Sequence, residues 1–440
     1  MLIRFRVSNY LSFKEEVEFS MVKGKTRIHS NHIISGGKSR NAVNLLKSGI
    51  IYGANASGKS NFIKAIDFAR DLIIDGTKLD QKIPIIPFKL DKQSKNKPSK
   101  FEFEIRTGGK DYLYGFEITQ DAVISEWLYE LLLTSQKLLF ERRRDEEGKT
   151  IIDFDNLNFK SKLDKEFYQF FGEGTRQNQL FLTESMNREP AFFNQIFYWF
   201  RNSLLIIFPN TKYRINSKLS EDKFNFISKK LDEFDTGICK IDIQETPIEI
   251  AVPKSLQKRI TNDIDKLGDE LQQITVVDPY GSQLLISKNE NGEIVGKELI
   301  FKHKMNDCQE EVPFKYGEES DGSMRLLDFI PILYLGKNEE KVFLIDELDR
   351  SLHPNLCYDL IKLFLNETES SQLIVTTHES NLLTFDLLRR DEIWFIEKDK
   401  NGASKMYSLE EFTPRNDKDI QKGYLLGRFG AIPIMGKKRF

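Results

Sequence analysis

One octapeptide constrains this chain more than anything else in it: Gly53-Ala54-Asn55-Ala56-Ser57-Gly58-Lys59-Ser60. Its G-x-x-x-x-G-K-S spacing follows the apolar Ile50-Ile51-Tyr52 and precedes a stretch in which Phe62, Ile66, Ala69 and Ile73 recur at helical intervals. Strand, glycine loop and amphipathic helix in that order make a phosphate-binding loop. The glycines let backbone N–H groups turn inward, Lys59 reaches the terminal phosphates, and Ser60 offers a hydroxyl to magnesium. The first turn of the helix adds its unpaired N–H groups and its dipole. Candidate nucleotide contacts are therefore Gly53, Asn55, Ala56, Ser57, Gly58, Lys59, Ser60 and Asn61.

The second half of the chain supplies partners for such a loop. Val342-Phe343-Leu344-Ile345 is wholly apolar, as a buried parallel strand is, and it ends in Asp346-Glu347. An aspartate at a strand's C-terminal end can hold magnesium, and a glutamate beside it can orient and deprotonate water. The competing reading, a strand end with surface acids, loses weight once a P-loop lies upstream. Asp349-Arg350-Ser351-Leu352-His353-Pro354 follows directly, and Leu373-Ile374-Val375-Thr376-Thr377 predicts another buried strand running into His378. Before them, Glu319-Ser320-Asp321-Gly322-Ser323 leads into an apolar helix from Leu326 to Leu335.

The order of P-loop, long insertion, S-x-G helix start, D-E strand, L-H-P loop and T-T-H strand resembles the ABC/SMC-like ATPases. Within them, the opening Phe5-Arg6-Val7-Ser8-Asn9-Tyr10-Leu11-Ser12-Phe13 and the ending Gly427-Arg428-Phe429-Gly430-Ala431-Ile432-Pro433 look like the RloA-like ATPases of restriction-linked and abortive-infection loci, relatives of the OLD family. The resemblance implies an α/β fold: an ABC-type P-loop ATPase with a mixed central sheet, an N-terminal antiparallel β-lobe and an inserted helical subdomain. It implies ATP and Mg2+ as ligands, with Ser60 and Asp346 on the metal, Glu347 activating water, Lys59 neutralising charge and His378 sensing the γ-phosphate. Ser320 and Gly322 would cap the nucleotide of a second copy, in a homodimer or higher homo-oligomer. Ser320-Asp321-Gly322-Ser323 departs from the common L-S-G-G signature by placing an acid near phosphate, and Gln81 fits a Q-loop by its order alone.

Totals set the frame. A chain of 440 residues exceeds a usual single domain, so an ATPase with an insertion is expected, divided as 1–135, 136–275 and 276–440. Lys plus Arg at 65 against Asp plus Glu at 67 gives a net charge of −2, which does not indicate a nucleic-acid coat. Cys239, Cys308 and Cys357 are scattered and have no C-x-x-C spacing, which argues for a reducing compartment. No signal peptide precedes Ile3, and no apolar run approaches the ~18 residues a membrane helix needs, so a soluble cytoplasmic protein is predicted.

Along the chain, residues 2–22 read as two strands, with Asn9, Tyr10, Ser12 and Phe13 as candidate base-side contacts and core packing the competing role for Tyr10 and Phe13. Residues 23–44 read as an exposed loop, and Asp91 to Lys100 as a solvated basic one. Phe101, Phe103 and Ile105 alternate toward Gly108-Gly109, as do Tyr112, Tyr114, Phe116 and Ile118 beyond it, so a hairpin is predicted with these rings in its core rather than stacking on nucleic acid. Ile124 to Leu133, Lys137 to Arg144 and Ile151 extend the lobe. Arg142-Arg143-Arg144 meets Asp145-Glu146-Glu147, so a hairpin tip outweighs a phosphate contact. From about 155 to 275 the pattern turns helical, closing with Leu256, Ile260, Ile264, Leu267 and Leu271 on one helix, far short of an SMC coiled coil.

No nuclease domain is expected. Asp153-Phe154-Asp155 and Asp263-Ile264-Asp265 lack an acidic strand context, and His29, His32, His303 and His353 lack metal-ligand spacing and default to surface or loop roles. The sequence predicts an ATP-hydrolysing switch in antiphage defence that controls a separate nuclease or toxin effector, with a phage-derived trigger. Two other readings remain open: a repair or chromosome-maintenance ATPase acting on DNA, and a weakly hydrolysing nucleotide-bound scaffold that sequesters a toxin.

Overall fold

Ser48–Tyr52, Val342–Ile345 and Gln372–Thr376 are buried at every position, the pattern of strands covered on both faces. In the computed structural model they lie side by side in a six-stranded sheet. Its order is Leu204–Ile207, Val342–Ile345, Gln372–Thr376, Ser48–Tyr52, Ile393–Lys398 and Ser404–Ser408. Every neighbouring pair is parallel except the last, which is an antiparallel hairpin, so the sheet is mixed as expected. Parallel strands share one C-terminal edge. The segments that leave them, Gly53 onward, Asp346-Glu347 and Thr377-His378, are therefore delivered to the same place.

The structure describes residues 1–36, 42–145, 147–186, 192–212, 221–266, 273–277, 283–289, 291–305, 310–412 and 419–432. Cys308, Leu267, Leu271, Gly37, Glu146 and Pro433 lie outside them. The described chain divides into two compact units, one of Met1–Pro209, Glu339–Arg350 and Cys357–Phe440, the other of Asn210–Asn338 and Ser351–Leu356.

The first unit also holds a seven-stranded antiparallel sheet ordered Thr150–Phe154, Gln136–Arg144, Val123–Leu131, Lys110–Ile118, Ser99–Thr107, Leu2–Ser8 and Val17–Ser20. The P-loop helix Lys59–Asp75 joins this sheet to the central one, because Phe62 is fully buried with its ring 5.7 Å from Phe5 and 5.3 Å from Phe19. Phe19 in turn lies 5.0 Å from Trp394. The alternating rings Phe101, Phe103, Tyr112, Tyr114 and Phe116 are buried, as period-two patterning requires. Tyr10 stacks on Phe68 and Phe13 is fully buried, so both are core. At the far edge, Tyr424 and Phe429 pack against Phe395.

A five-stranded antiparallel sheet forms the second unit, from Ile238–Pro247, Ile294–Lys304, Gln283–Lys288, Gln273–Val277 and Glu311–Lys315. Helices Glu221–Glu233 and Asp321–Asn338 pack together there, with Phe226 and Tyr334 5.4 Å apart. Lys254–Lys266 carries Ile260 and Ile264 into a small core with Ile286.

Three expectations need correction. Among its described residues, segment 136–275 is a mixture of helices and strands rather than a helical insertion. Gln136–Arg144 and Thr150–Phe154 continue the N-terminal sheet, so a boundary at 135 would cut a hairpin, and Ile238–Pro247 is a ten-residue strand paired with Ile294–Lys304. Residues 24–32 are tied down rather than loose: Gly24 N–H donates to Asp391, and the Arg389 guanidinium donates to the carbonyls of Thr26 and Ile28. His32 is buried, its ring 3.1 Å from the Glu392 carboxylate, and is not a surface residue.

Gln372, fully buried, holds the two sheets in register. Its Oε1 accepts the Leu2 N–H at 2.7 Å, and its Nε2 donates to the carbonyls of Leu2 at 2.9 Å and Leu46 at 3.1 Å. Gln372→Ala strands these backbone groups without water. At ~1–3 kcal/mol for each of the three buried groups, the expected loss is about 3 kcal/mol or more, read as a lower urea midpoint for the whole chain. A midpoint within error of wild type would contradict this role.

Candidate nucleotide-binding site

The P-loop turns tightly where the sequence allows it. Ala56 has φ 61° and Gly58 φ 121°, and a Cβ on Gly58 would come within 2.4 Å of the Ser404 hydroxyl. Asn55 and Ala56 are exposed, whereas Ser57, Gly58 and Lys59 are buried. Lys59 Nζ donates to the Gly53 carbonyl at 2.8 Å and lies 2.9 Å from His378 Nε2. A cleft of about 570 Å3 runs over the loop, lined by Asn55, Ala56, Ser57, Gly58, Lys59, Ser60, Asn61, Glu347, His378 and Lys398.

Acids and histidine are fixed by two threonines for which the sequence reading gave no role. Thr376, fully buried at the end of its strand, donates its hydroxyl to Asp346 Oδ1 at 2.7 Å and accepts the Glu347 N–H at 2.9 Å. Thr377 donates to Asp349 Oδ1 at 2.7 Å, and the same oxygen accepts the His378 N–H at 3.1 Å. One strand end thus orients both the acidic pair and the histidine. Their signal was present in Thr376-Thr377-His378, but it becomes a role only once Val342–Ile345 is known to be the neighbouring strand. Glu347 has φ 54°, a left-handed conformation that costs a non-glycine residue ~1–3 kcal/mol and clusters at functional sites.

Ser60 Oγ donates to Asp346 Oδ1 at 3.1 Å, so two hard oxygen donors from different elements converge, as a partly hydrated Mg2+ requires. The Ser57 hydroxyl is buried without a hydrogen-bond partner, a further polar atom suited to an oxygen-rich ligand. These residues fit a magnesium–nucleotide complex. Among the described residues, no cluster of three or more His, Cys, Asp or Glu could hold a metal by itself.

Other sequence candidates separate from this cleft. Ser320 and Gly322 belong to the second unit, and no lining residue comes from that unit. Ser320 caps its helix there, accepting the Ser323 N–H at 3.0 Å. Gln81 lines a different cavity, beside Arg176 and Asn178. Asn9 points away, donating to the carbonyls of Ser94, Lys97 and Pro98, so it organises the basic loop instead of meeting a base. Ser12 lies under the P-loop, its hydroxyl 2.9 Å from Asn61 Nδ2 and 2.8 Å from Ser404 Oγ. Asp153 pairs with Arg143, and Asp263 with Arg259. Among the described residues, no helix is long and apolar enough to cross a membrane.

Burial lowers the Lys59 ammonium to about 8, against the pull of Asp349, Asp346 and Glu347. Burial and the neighbouring Lys59 charge also hold His378 below the usual imidazole value. Burying the Lys59 charge therefore opposes folding below pH 8, and that cost is relieved as pH rises toward 10.5, the ordinary value for a lysine. For ligand binding the sign reverses: phosphates need the ammonium form, so ATP affinity should fall about tenfold from pH 7 to pH 9, with proton uptake on binding. Titration calorimetry across this range checks it. Lys59→Arg, charged throughout, should flatten the profile, and a flat wild-type profile would contradict the assignment.

Residues 50–384 match the family described as "AAA domain, putative AbiEii toxin, Type IV TA system". No curated protein matches the chain. Among solved structures, the SMC head domain from Thermotoga maritima is 11% identical over 92% of this chain and 98% of its own, with a TM-score of 0.34. An Smc head bound to the C-winged helix domain of ScpA is 14% identical over 94% and 99%, at 0.38. An Smc head with an extended coiled coil bound to the C-terminal domain of ScpA, from Pyrococcus furiosus, is 13% identical over 97% and 98%, at 0.35. With its P-loop, acidic strand end and histidine all inside the matched span, the chain belongs to the AAA-domain family of putative AbiEii toxins of type IV toxin–antitoxin systems and is a P-loop ATPase of that type.

Proposed function

We propose that this protein binds Mg2+–ATP, hydrolyses it, and uses the cycle as an assembly switch in a defence or toxin–antitoxin system. The observation that carries the reading is the convergence of Lys59, Ser60, Asp346, Glu347 and His378 on one sheet edge, joined by the contacts from Ser60 and Thr376 to Asp346 and from Lys59 to His378. Ser60 and Asp346 would hold Mg2+, which when bound neutralises developing phosphate charge. Lys59 attracts the terminal phosphates. Glu347 orients the attacking water and takes its proton, its backbone pinned by Thr376. His378, neutral and fixed through Asp349, contacts the γ-phosphate and exchanges its Lys59 partner for it.

Assembly enters through Ser320 and Gly322, which on this reading cap the nucleotide of a second copy. Their place at the start of the helix Asp321–Asn338 supports it, since N–H groups there are donors for phosphate. A separate nuclease or toxin effector, released or activated by the cycle, and a phage-derived trigger complete the proposal. The family's description as a putative toxin favours a second system-level reading, in which this chain is itself the toxic component and its partner the antitoxin. Growth arrest on expression of the chain alone separates the two.

Glu347→Gln removes the base while keeping the side chain's size. Phosphate release should fall by roughly 10²–10⁴-fold. Native mass spectrometry should show the variant held by ATP in a dimer or larger assembly that wild type leaves on turnover. Unchanged mass with ATP in both proteins would remove the trans-capping roles of Ser320 and Gly322, and unchanged turnover would remove Glu347 as the base.

A further inference from the structure

Nine of the cleft-lining residues belong to the P-loop and the first turn of its helix, to the acidic pair or to His378, and Lys398 alone belongs to none of these. We propose that Lys398 is a further nucleotide-binding residue and that it holds the inner, α-phosphate side of the phosphate chain. The inference rests on the cleft being a nucleotide site, as argued above.

Its backbone is fixed against the loop. Lys398 ends the strand Ile393–Lys398 and pairs in the hairpin with Ser404. Ser404 Oγ donates to the Ser57 carbonyl at 2.5 Å, and Ser404 N–H donates to the Ser12 carbonyl at 2.7 Å. One strand position back but one, a Cβ on Gly53 would lie 2.4 Å from the Ile396 carbonyl, so strand and P-loop are in direct contact. The lysine is therefore presented from a rigid frame rather than a free loop.

Its charge is uncommitted. Lys398 is exposed, and among the described residues it makes no ion pair. The carboxylates on either side of it are engaged elsewhere: Glu397 accepts the Ala431 N–H at 3.1 Å, and Asp399 accepts the N–H groups of Asn401 at 2.8 Å and Ala403 at 3.0 Å. A cation facing an anion-binding cleft with both neighbouring acids occupied is suited to phosphate.

Strand order gives the position. Glu347 leaves the strand two places from the P-loop strand, and His378 leaves the strand beside it, both on one side; Lys398 ends the adjacent strand on the other side. With Lys59 Nζ 2.9 Å from His378, the terminal phosphate belongs on the Glu347 and His378 side. Strands lie ~4.8 Å apart, so the strand of Lys398 is roughly 10 Å from that of His378. The side chain therefore faces the part of the nucleotide that ATP and ADP share.

The test compares wild type, Lys398→Ala, Lys398→Arg and Glu347→Gln as full chains, titrated with ATP, ADP and adenosine, with unfolding followed to establish that each is folded. Lys398→Ala should weaken ATP and ADP by the same ~5–20-fold and leave adenosine unaffected, and in turnover the loss should fall on KM rather than kcat. Lys398→Arg should restore binding to within threefold. If wild type and Glu347→Gln bind ATP while Lys398→Ala binds ADP as tightly as they do, the role of Lys398 is overturned and the nucleotide site stands. A loss confined to ATP would overturn the inner position by placing the contact on the terminal phosphate. If no folded variant, wild type included, binds ATP, the nucleotide site itself falls.

Discussion

Much of this molecule depends on three parallel strands ending at one edge. Val342–Ile345, Gln372–Thr376 and Ser48–Tyr52 pair in unbroken parallel register, so their C-terminal ends cannot be moved independently. Parallel pairing needs long crossovers, and here these are the P-loop helix, the insertions and the helix Pro354–Glu367. The site is assembled by a constraint that is local in space from segments far apart in the chain, Ser60 meeting Asp346 across 286 positions and Lys59 meeting His378 across 319. Phe62 and Gln372 extend it to the N-terminal sheet, one through ring packing and the other by closing backbone hydrogen bonds that would otherwise be buried and unpaired.

At that edge, buried polar atoms divide the work. Asp346 is held by hydroxyls from Ser60 and Thr376, and Asp349 by Thr377 and the His378 backbone, so each acid is oriented by neutral donors. Lys59 sits beside His378 and backbone carbonyls, and its burial weakens its hold on its own proton. A polyphosphate would reverse that balance, since it supplies the negative charge that burial has withheld from the ammonium. Ligand binding is thereby coupled to the protonation of the loop.

The strongest elements were legible because a buried parallel strand reads as a continuous apolar run and its functional residues follow at once. Ile50 to Lys59 and Val342 to Glu347 are such cases, and the hairpin at Gly108-Gly109 was legible from strict alternation. Ile238–Pro247 was not, since Lys240, Asp242 and Glu245 interrupt its apolar residues and its partner strand, Ile294–Lys304, is distant in the chain. The parts played by Thr376 and Ser404, and the one proposed for Lys398, depend on which strand lies next to which. Ser12 illustrates the same limit: the sequence makes it a candidate base-side contact, and in the structure its hydroxyl lies beneath the P-loop against Asn61 and Ser404.

The claim on which the rest depends is that Ser60 and Asp346 form the metal end of a nucleotide site. Calorimetric titration of ATP with Mg2+ and with EDTA, for wild type and Asp346→Asn, tests it most directly. The account predicts that Mg2+ strengthens ATP binding to wild type by at least tenfold and that Asp346→Asn, still folded, loses most of this gain while binding metal-free ATP. Equal affinity with and without Mg2+ in wild type, or an undiminished Mg2+ effect in the variant, would contradict it.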